Sequence, residues 1–116
     1  MNAPAYKRIY SARRGHCFTN ALQFAARNRA WDIVHGIPLG RGPIDGVRFA
    51  HAWNEITHEG VRWVYDAYND VLMPAELFYL LGAIRYTITY TVDAAAEKLD
   101  ETDHAGPWDE KINQAR

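Results

Sequence analysis

The sequence is poor in cysteine and contains no long apolar run. Its 116 residues include one cysteine, Cys17, which excludes an internal disulfide framework and a multi-cysteine zinc site. A lone free thiol is typical of the reducing cytoplasm. The first fifteen residues lack a continuous apolar stretch, and no window approaches the ~20 apolar residues of a membrane helix. We therefore expect a cytoplasmic protein without a secretory signal or a membrane partner.

The sequence also lacks an excess of either charge. It has 13 basic and 14 acidic residues, for a formal net charge of −1, so its composition indicates no highly charged partner. Lys7, Arg8, Arg13 and Arg14 cluster near the N-terminus, but no aromatic-stacking or groove-reading motif accompanies them. We interpret the cluster as a solvated basic face and expect no nucleic-acid partner. Nucleic-acid binding through it would depend steeply on salt.

The length of the chain predicts one domain spanning 1–116. Within it we distinguish a lead-in segment at 1–14, a core of the catalytic type at 15–92, and a short helix with a polar tail at 93–116. Apolar residues at helical spacing predict a helix over about 17–29. The other predicted elements are a strand at 31–38, a glycine-rich loop at 39–47, strands at 47–56 and 61–68, a helix at 73–82 and a strand at 83–92.

This order of elements predicts the α+β class. The N-terminal helix is expected to pack on an antiparallel sheet of three or four strands. The glycine-rich loop at 39–47 is a candidate gate for a cleft, because loops of this kind often flank functional sites.

The stretch RFAHAWNEITHEGVRWVYDAYND predicts a β-hairpin with an unusual number of polar residues. We place a four-residue turn at 57–60, closed by a glycine in the left-handed conformation. The resulting register sets His51 opposite Asp66 and Glu55 opposite Arg62. Directly opposite side chains lie on one face, close enough for a carboxylate to accept a hydrogen bond from an imidazole.

A second register is compatible with the same stretch. A three-residue loop with a glycine bulge would set Asp66 opposite Ala52 instead. Because side chains alternate along a strand, Asp66 would then lie on the other face of the sheet from His51. The two registers thus make opposite predictions about a His51–Asp66 contact.

Cys17 lies in the first turn of the predicted helix. There the helix dipole and the free N–H groups stabilise a thiolate, and the same N–H groups can donate to a developing oxyanion. With His51 as the base and Asp66 as the orienting carboxylate, these residues form a Cys–His–Asp triad. The alternatives are a buried thiol, a core histidine and a strand-end cap.

Other residues near the triad have secondary roles. His16 adjoins the thiol and is a candidate substrate contact, and Trp53 follows His51 closely enough to wall a cleft. His35 and His58 are weaker candidates for the base. His35 flanks the Gly-Ile-Pro turn, and His58 falls at the hairpin tip. No pair of histidine and cysteine residues has the spacing of a zinc motif. We therefore expect neither a metal nor a cofactor.

The pattern resembles the transglutaminase-like branch of the papain-like cysteine hydrolases. The resemblance covers about residues 15–67, and the fold it implies is a helix packed on an antiparallel sheet. It also implies Cys17 as nucleophile, His51 as base and Asp66 as orienting acid. The matching segments are Gly15-His16-Cys17, Val34-His35-Gly36-Ile37-Pro38, His51-Ala52-Trp53-Asn54-Glu55 and Trp63-Val64-Tyr65-Asp66.

The sequence departs from the family pattern in three respects. The chain is much shorter than most family enzymes. Phe18 stands where the family usually has a tryptophan beside the nucleophile. Asn54 separates Trp53 from Glu55. These departures affect the identity of the substrate more than the triad itself.

The expected activity is that of a small cysteine hydrolase or acyltransferase that forms a thioester on Cys17. The substrate bond would be a peptide, an isopeptide or a glutamine side-chain amide in a protein or peptide. Cleavage is favoured over cross-linking, because the short chain leaves little room for a second site that binds an amine. A different class of function, a non-catalytic binding or inhibitor module on the same fold, is equally compatible with a short chain.

Overall fold

The computed structural model describes residues 2–9, 16–40 and 42–115. The predicted lead-in is described over 2–9, where no helix or strand forms, while Gly15 lies outside the described residues. The elements are α1 (Cys17–Arg27), β1 (Asp32–Ile37), a 3₁₀ turn (Gly42–Ile44), β2 (His51–His58), β3 (Val61–Asp66), β4 (Val71–Pro74), α2 (Ala75–Gly82), β5 (Arg85–Tyr90), α3 (Val92–Thr102) and α4 (Glu110–Asn113).

The described residues form one five-stranded sheet in the order β4-β3-β2-β1-β5. Every neighbouring pair is antiparallel, which confirms the α+β class with an N-terminal helix on an antiparallel sheet. The predicted number of three or four strands was wrong. β4 was not predicted because it is four residues long and ends in a proline, which is depleted in strands. No helix in these ranges is long and apolar enough to cross a membrane.

The two faces of the sheet are covered by different helices. Ala21 and Ala25 of α1 pack against Ile33 and Ala52 on one face. Side chains alternate along a strand, so the residues next to Ile33 and Ala52 project to the other face. There Val34, Trp53 and Val64 pack against Ala75 and α2. His51 lies on the α2 face, at the first residue of β2, so its side chain is at an end of the sheet.

The hairpin between β2 and β3 has a two-residue turn, and both predicted registers were wrong. His58 pairs with Val61, and the turn is formed by Glu59 (φ 51°) and Gly60 (φ 79°). Positive φ at both turn residues is the geometry whose twist matches the strands. The sequence did not indicate it, because glutamate is uncommon at a left-handed position.

The observed register nevertheless leaves His51 and Asp66 on the same face. Asn54 pairs with Tyr65, so Asp66 lies level with Trp53, two residues along from His51. Relative to the favoured prediction, the strand is shifted by two residues, and a shift of two preserves the face. His51 and Asp66 are therefore diagonal rather than direct cross-strand neighbours, a separation that long side chains still bridge.

Gly36 of β1 makes room for Trp53. A Cβ atom at position 36 would lie 2.5 Å from Cη2 of the indole, which is too close for any side chain. Gly36 also pairs with His51 across the sheet. The glycine of the Gly-Ile-Pro segment thus allows the tryptophan to lie flat over β1, next to His51.

We expect Gly36→Ala to lower the free energy of unfolding by about 1–3 kcal/mol, because the added methyl group displaces a fully buried ring. Urea denaturation measures the change. The matched variant is Gly60→Asn, whose position is open to solvent and whose new residue tolerates positive φ. It should change stability by less than about 0.5 kcal/mol. Equal effects of the two substitutions would contradict the packing role of Gly36.

Candidate active site

His51 and Asp66 form a buried hydrogen-bonded pair. His51 Nε2 lies 2.9 Å from Asp66 Oδ2, and both side chains are almost fully buried. Asn69 donates from Nδ2 to the same oxygen at 2.9 Å, and the backbone N–H of Tyr68 donates to Oδ1 at 3.1 Å. Burial would raise the pKa of Asp66, but the hydrogen bond and charge of His51 and the hydrogen bonds from Asn69 lower it. Asp66 is therefore ionised at neutral pH.

Cys17 completes the arrangement at the start of α1. Its sulfur lies close enough to His51 to raise the pKa of the imidazole, and it is partly exposed. Because Asp66 occupies Nε2, Nδ1 is the ring nitrogen left for the sulfur. Burial alone would lower the pKa of His51, but the hydrogen bonds and charges of Asp66 and Cys17 raise it to about 9. The imidazole of His51 is therefore protonated at neutral pH.

The start of α1 adds a favourable field for negative charge. The first turn contains no acidic residue, and the first backbone hydrogen bond of the helix runs from Asn20 N to His16 O. The N–H groups of residues 17–19 consequently lack an acceptor within the helix. They are available to donate to a negatively charged group at the start of α1.

Asn54 fixes the helix relative to the strand that carries His51. Its side chain is fully buried and donates to Ala21 O of α1 at 2.9 Å and to Asp32 O of β1 at 3.2 Å. The residue that interrupts the Trp-Glu segment in the sequence is thus a link between α1 and the sheet. It holds α1 on one face of β2 while His51 projects from the other.

Trp53 borders neither of the two pockets that adjoin His51 and His16, so the structure gives no support to the expectation that it contacts substrate. Its side chain is fully buried, with the indole centroid 5.9 Å from the His51 ring. The indole N–H donates to Glu55 Oε2 at 2.7 Å, and Arg62 Nε donates to Glu55 Oε1 at 3.0 Å. The predicted Glu55–Arg62 pair therefore exists, in a diagonal geometry, and it anchors the tryptophan that supports His51.

His16 lies beside the thiol, as its position in the sequence requires. It is the exposed residue that precedes α1. It borders a pocket of about 330 Å³ together with Phe18, Phe49 and Pro107. A substrate contact from His16 stays a prediction.

A larger pocket borders His51 and Asp66. It has a volume of about 620 Å³. The described part of the predicted gate contributes Leu39, Gly40 and Ile44. Sequence reasoning missed the contributions of α2 and β4 to this pocket. It also missed the two residues that hold the Asp66 carboxylate, although an Asp at a strand end often accepts the N–H two residues later.

His35 is a core residue and not an alternative base. It is fully buried, on the α1 face, and its ring packs against Phe18, Tyr90 and Trp108. Among the described residues neither ring nitrogen has a hydrogen-bond partner. Burial, only partly offset by the nearby Asp109 carboxylate, lowers the pKa of His35 to about 4. The other alternative base, His58, lies on the hairpin, 4.0 Å from Glu59. It is the last residue of β2, at the opposite end of that strand from His51.

The segment Gly106-Pro107-Trp108 closes over His35. Gly106 has φ +114°, and a Cβ atom there would lie 2.7 Å from His35 Cε1 and 3.3 Å from Phe18 Cδ1. The tail also packs Trp108 on the rings of His35 and Tyr90, and His35 in turn contacts Phe18. This part of the tail therefore supports α1 at the end that carries Cys17.

We expect the buried neutral His35 to make the fold acid-sensitive. Its folded pKa of about 4 lies below the unfolded value of about 6.5, so the unfolded chain binds more protons between these values. Its contribution to stability is complete above pH 6.5 and is lost as the pH falls towards 4, by about 2–3 kcal/mol. Urea denaturation of the wild type and of His35→Phe at pH 7 and pH 4 measures it. Parallel losses in both proteins would assign the effect to other groups.

No group of three or more histidine, cysteine, aspartate or glutamate residues in the described ranges could hold a metal ion. Comparisons with models of protein families, with curated proteins and with solved structures found no match. The functional interpretation therefore depends on the geometry of the site.

Proposed function

We propose that the chain is a transglutaminase-like cysteine hydrolase that cleaves an amide bond of a protein or peptide through a thioester on Cys17. The observation that supports the proposal most is the buried imidazole of His51, which lies 2.9 Å from the Asp66 carboxylate and whose pKa is raised by Asp66 and by the nearby Cys17. The same imidazole thus interacts with an ionised carboxylate and with the sulfur at the start of α1.

The raised pKa of His51 suits it to act first as a proton donor. In the proposed mechanism the imidazolium accompanies a Cys17 thiolate, because a cation and a helix start both stabilise a negatively charged sulfur. The thiolate attacks the carbonyl carbon, and the imidazolium donates its proton to the leaving amine as the C–N bond breaks. Water then attacks the thioester, the neutral imidazole accepts its proton, and the released acid leaves the ion pair restored.

The remaining groups have supporting roles in this scheme. Asp66 stabilises the imidazolium and fixes the orientation of the ring. The free N–H groups at the start of α1 donate to the oxyanion of each tetrahedral intermediate. One pocket borders His51 and another borders His16, and in this scheme they hold the acyl group and the leaving group.

Trapping the thioester tests the proposal. The protein is mixed with p-nitrophenyl acetate, quenched in acid and analysed by intact mass and peptide mapping. We expect one acetyl group, attached to Cys17, and none on Cys17→Ala. Acetylation confined to lysines, or equal acetylation of the Cys17→Ala variant, would contradict the proposal.

A further inference from the structure

The larger pocket beside the triad is mainly apolar. Among the described residues, its ionisable lining residues are His51, Asp66 and Tyr68, and the first two are paired with each other. Most of the remaining lining consists of aliphatic or aromatic side chains, including Ile44, Phe49, Met73, Phe78, Leu81 and Ile84.

The rim of the pocket exposes apolar side chains to water. Ile44 is 47% exposed and Leu81 is 44% exposed, and they approach the pocket from the 3₁₀ turn and from α2, on different parts of the chain. Exposed apolar groups that surround a concave surface are characteristic of binding sites. Because His51 and Asp66 border this pocket, its occupant lies next to the imidazole.

We infer that this pocket binds a bulky apolar side chain on the acyl side of the scissile amide, so that the substrate is a peptide with a residue such as phenylalanine or leucine at that position. The inference rests on the proposed function, because it places the reacting carbonyl at Cys17. A glutamine or glutamate side chain would lose its hydrogen bonds to water here and gain few partners. The volume of about 620 Å³ accommodates such a side chain together with its neighbours in a peptide.

Peptidyl chloromethyl ketones test the inference without knowledge of the natural substrate. In these reagents the thiolate displaces chloride from the methylene carbon, while the amino-acid side chain occupies the acyl-side pocket. We expect the acetyl-phenylalanine reagent to inactivate Cys17 at least about tenfold faster than the acetyl-glycine reagent, because burial of an aromatic side chain favours binding by this order. The acetyl-glutamate reagent should be no faster than the acetyl-glycine reagent.

Two leucines of α2 provide matched variants. Leu77 and Leu81 are both 44% exposed, but only Leu81 borders the pocket. Leu81→Asp should reduce the phenylalanine-to-glycine ratio to less than about threefold, whereas Leu77→Asp should preserve it. Ile44→Asp provides a second pocket variant if Leu81→Asp fails to fold, as judged by circular dichroism.

Iodoacetamide separates the two possible failures, because this small reagent needs no pocket. Rapid alkylation of Cys17 by iodoacetamide with equal rates for the phenylalanine and glycine reagents would overturn the pocket inference and leave the proposed function standing. Alkylation no faster than that of free cysteine would overturn the proposed function and, with it, the pocket inference. A preference for phenylalanine that Leu77→Asp and Leu81→Asp reduce equally would also contradict the pocket assignment.

Discussion

Replacement of His51 with alanine is expected to lower kcat/KM for amide hydrolysis by about 10⁴-fold or more. This single substitution removes both the counter-ion of the Cys17 thiolate and the proton donor for the leaving amine. It also leaves Asp66, which is buried, with an unpaired charge. The rate is measured with a peptide anilide that carries phenylalanine before the scissile bond.

His58→Ala is the matched control for this prediction. His58 lies near the hairpin tip and is less buried than His51, so its removal should change kcat/KM by less than about threefold. Thermal denaturation of both variants separates a loss of catalysis from a loss of folding. A folded His51→Ala protein with more than a tenth of the wild-type rate would exclude His51 from the chemistry.

Replacement of Asp66 with asparagine is expected to lower kcat/KM by about 10²- to 10⁴-fold at neutral pH. The change keeps the shape of the side chain but removes the charge that supports the imidazolium. Without it, only Cys17 opposes the effect of burial, and the pKa of His51 falls below the value of about 9 found in the wild type. The imidazolium is then less stabilised and less well oriented when it donates its proton to the leaving amine.

The pH profile of the same variant should shift in a direction that a purely structural role of Asp66 would not produce. In the wild type, His51 holds its proton below about pH 9, so the rate should fall as the pH rises through that value. In Asp66→Asn this fall should begin at least one pH unit lower. Asn69→Ala, which removes one donor to Asp66, should reduce the rate less than about tenfold. An unshifted alkaline limb in Asp66→Asn would assign Asp66 to folding alone.

The sequence was sufficient to predict a His51–Asp66 contact and a helix that starts near Cys17, because both depend on few choices. The position of Cys17 followed from one strongly periodic helix. The contact of His51 with Asp66 survived an error in the register, because the error amounted to two residues and the face repeats every two. The turn itself was not predictable, since Glu59 adopts a conformation that its side chain does not favour.

Features that depend on tertiary contacts could not be predicted from the sequence. From the sequence, Asn54 is only a polar interruption of a strand; its partner, a carbonyl of α1, is known only from the structure. The sequence likewise makes Trp53 a candidate cleft residue, whereas in the structure it packs under α2. The apolar pocket includes side chains from a short turn, β4 and α2. None of these segments alone has a composition that indicates a pocket.

The most direct test of the central claim, that His51 activates Cys17, is the rate of alkylation by iodoacetamide at pH 6. A free cysteine is only about 0.3% thiolate at this pH, whereas the ion pair keeps the sulfur ionised. We expect Cys17 to react at least about tenfold faster than free cysteine, and His51→Ala to abolish this excess. A wild-type rate no higher than that of free cysteine, or an equal rate in His51→Ala, would contradict the claim and favour a non-catalytic binding module.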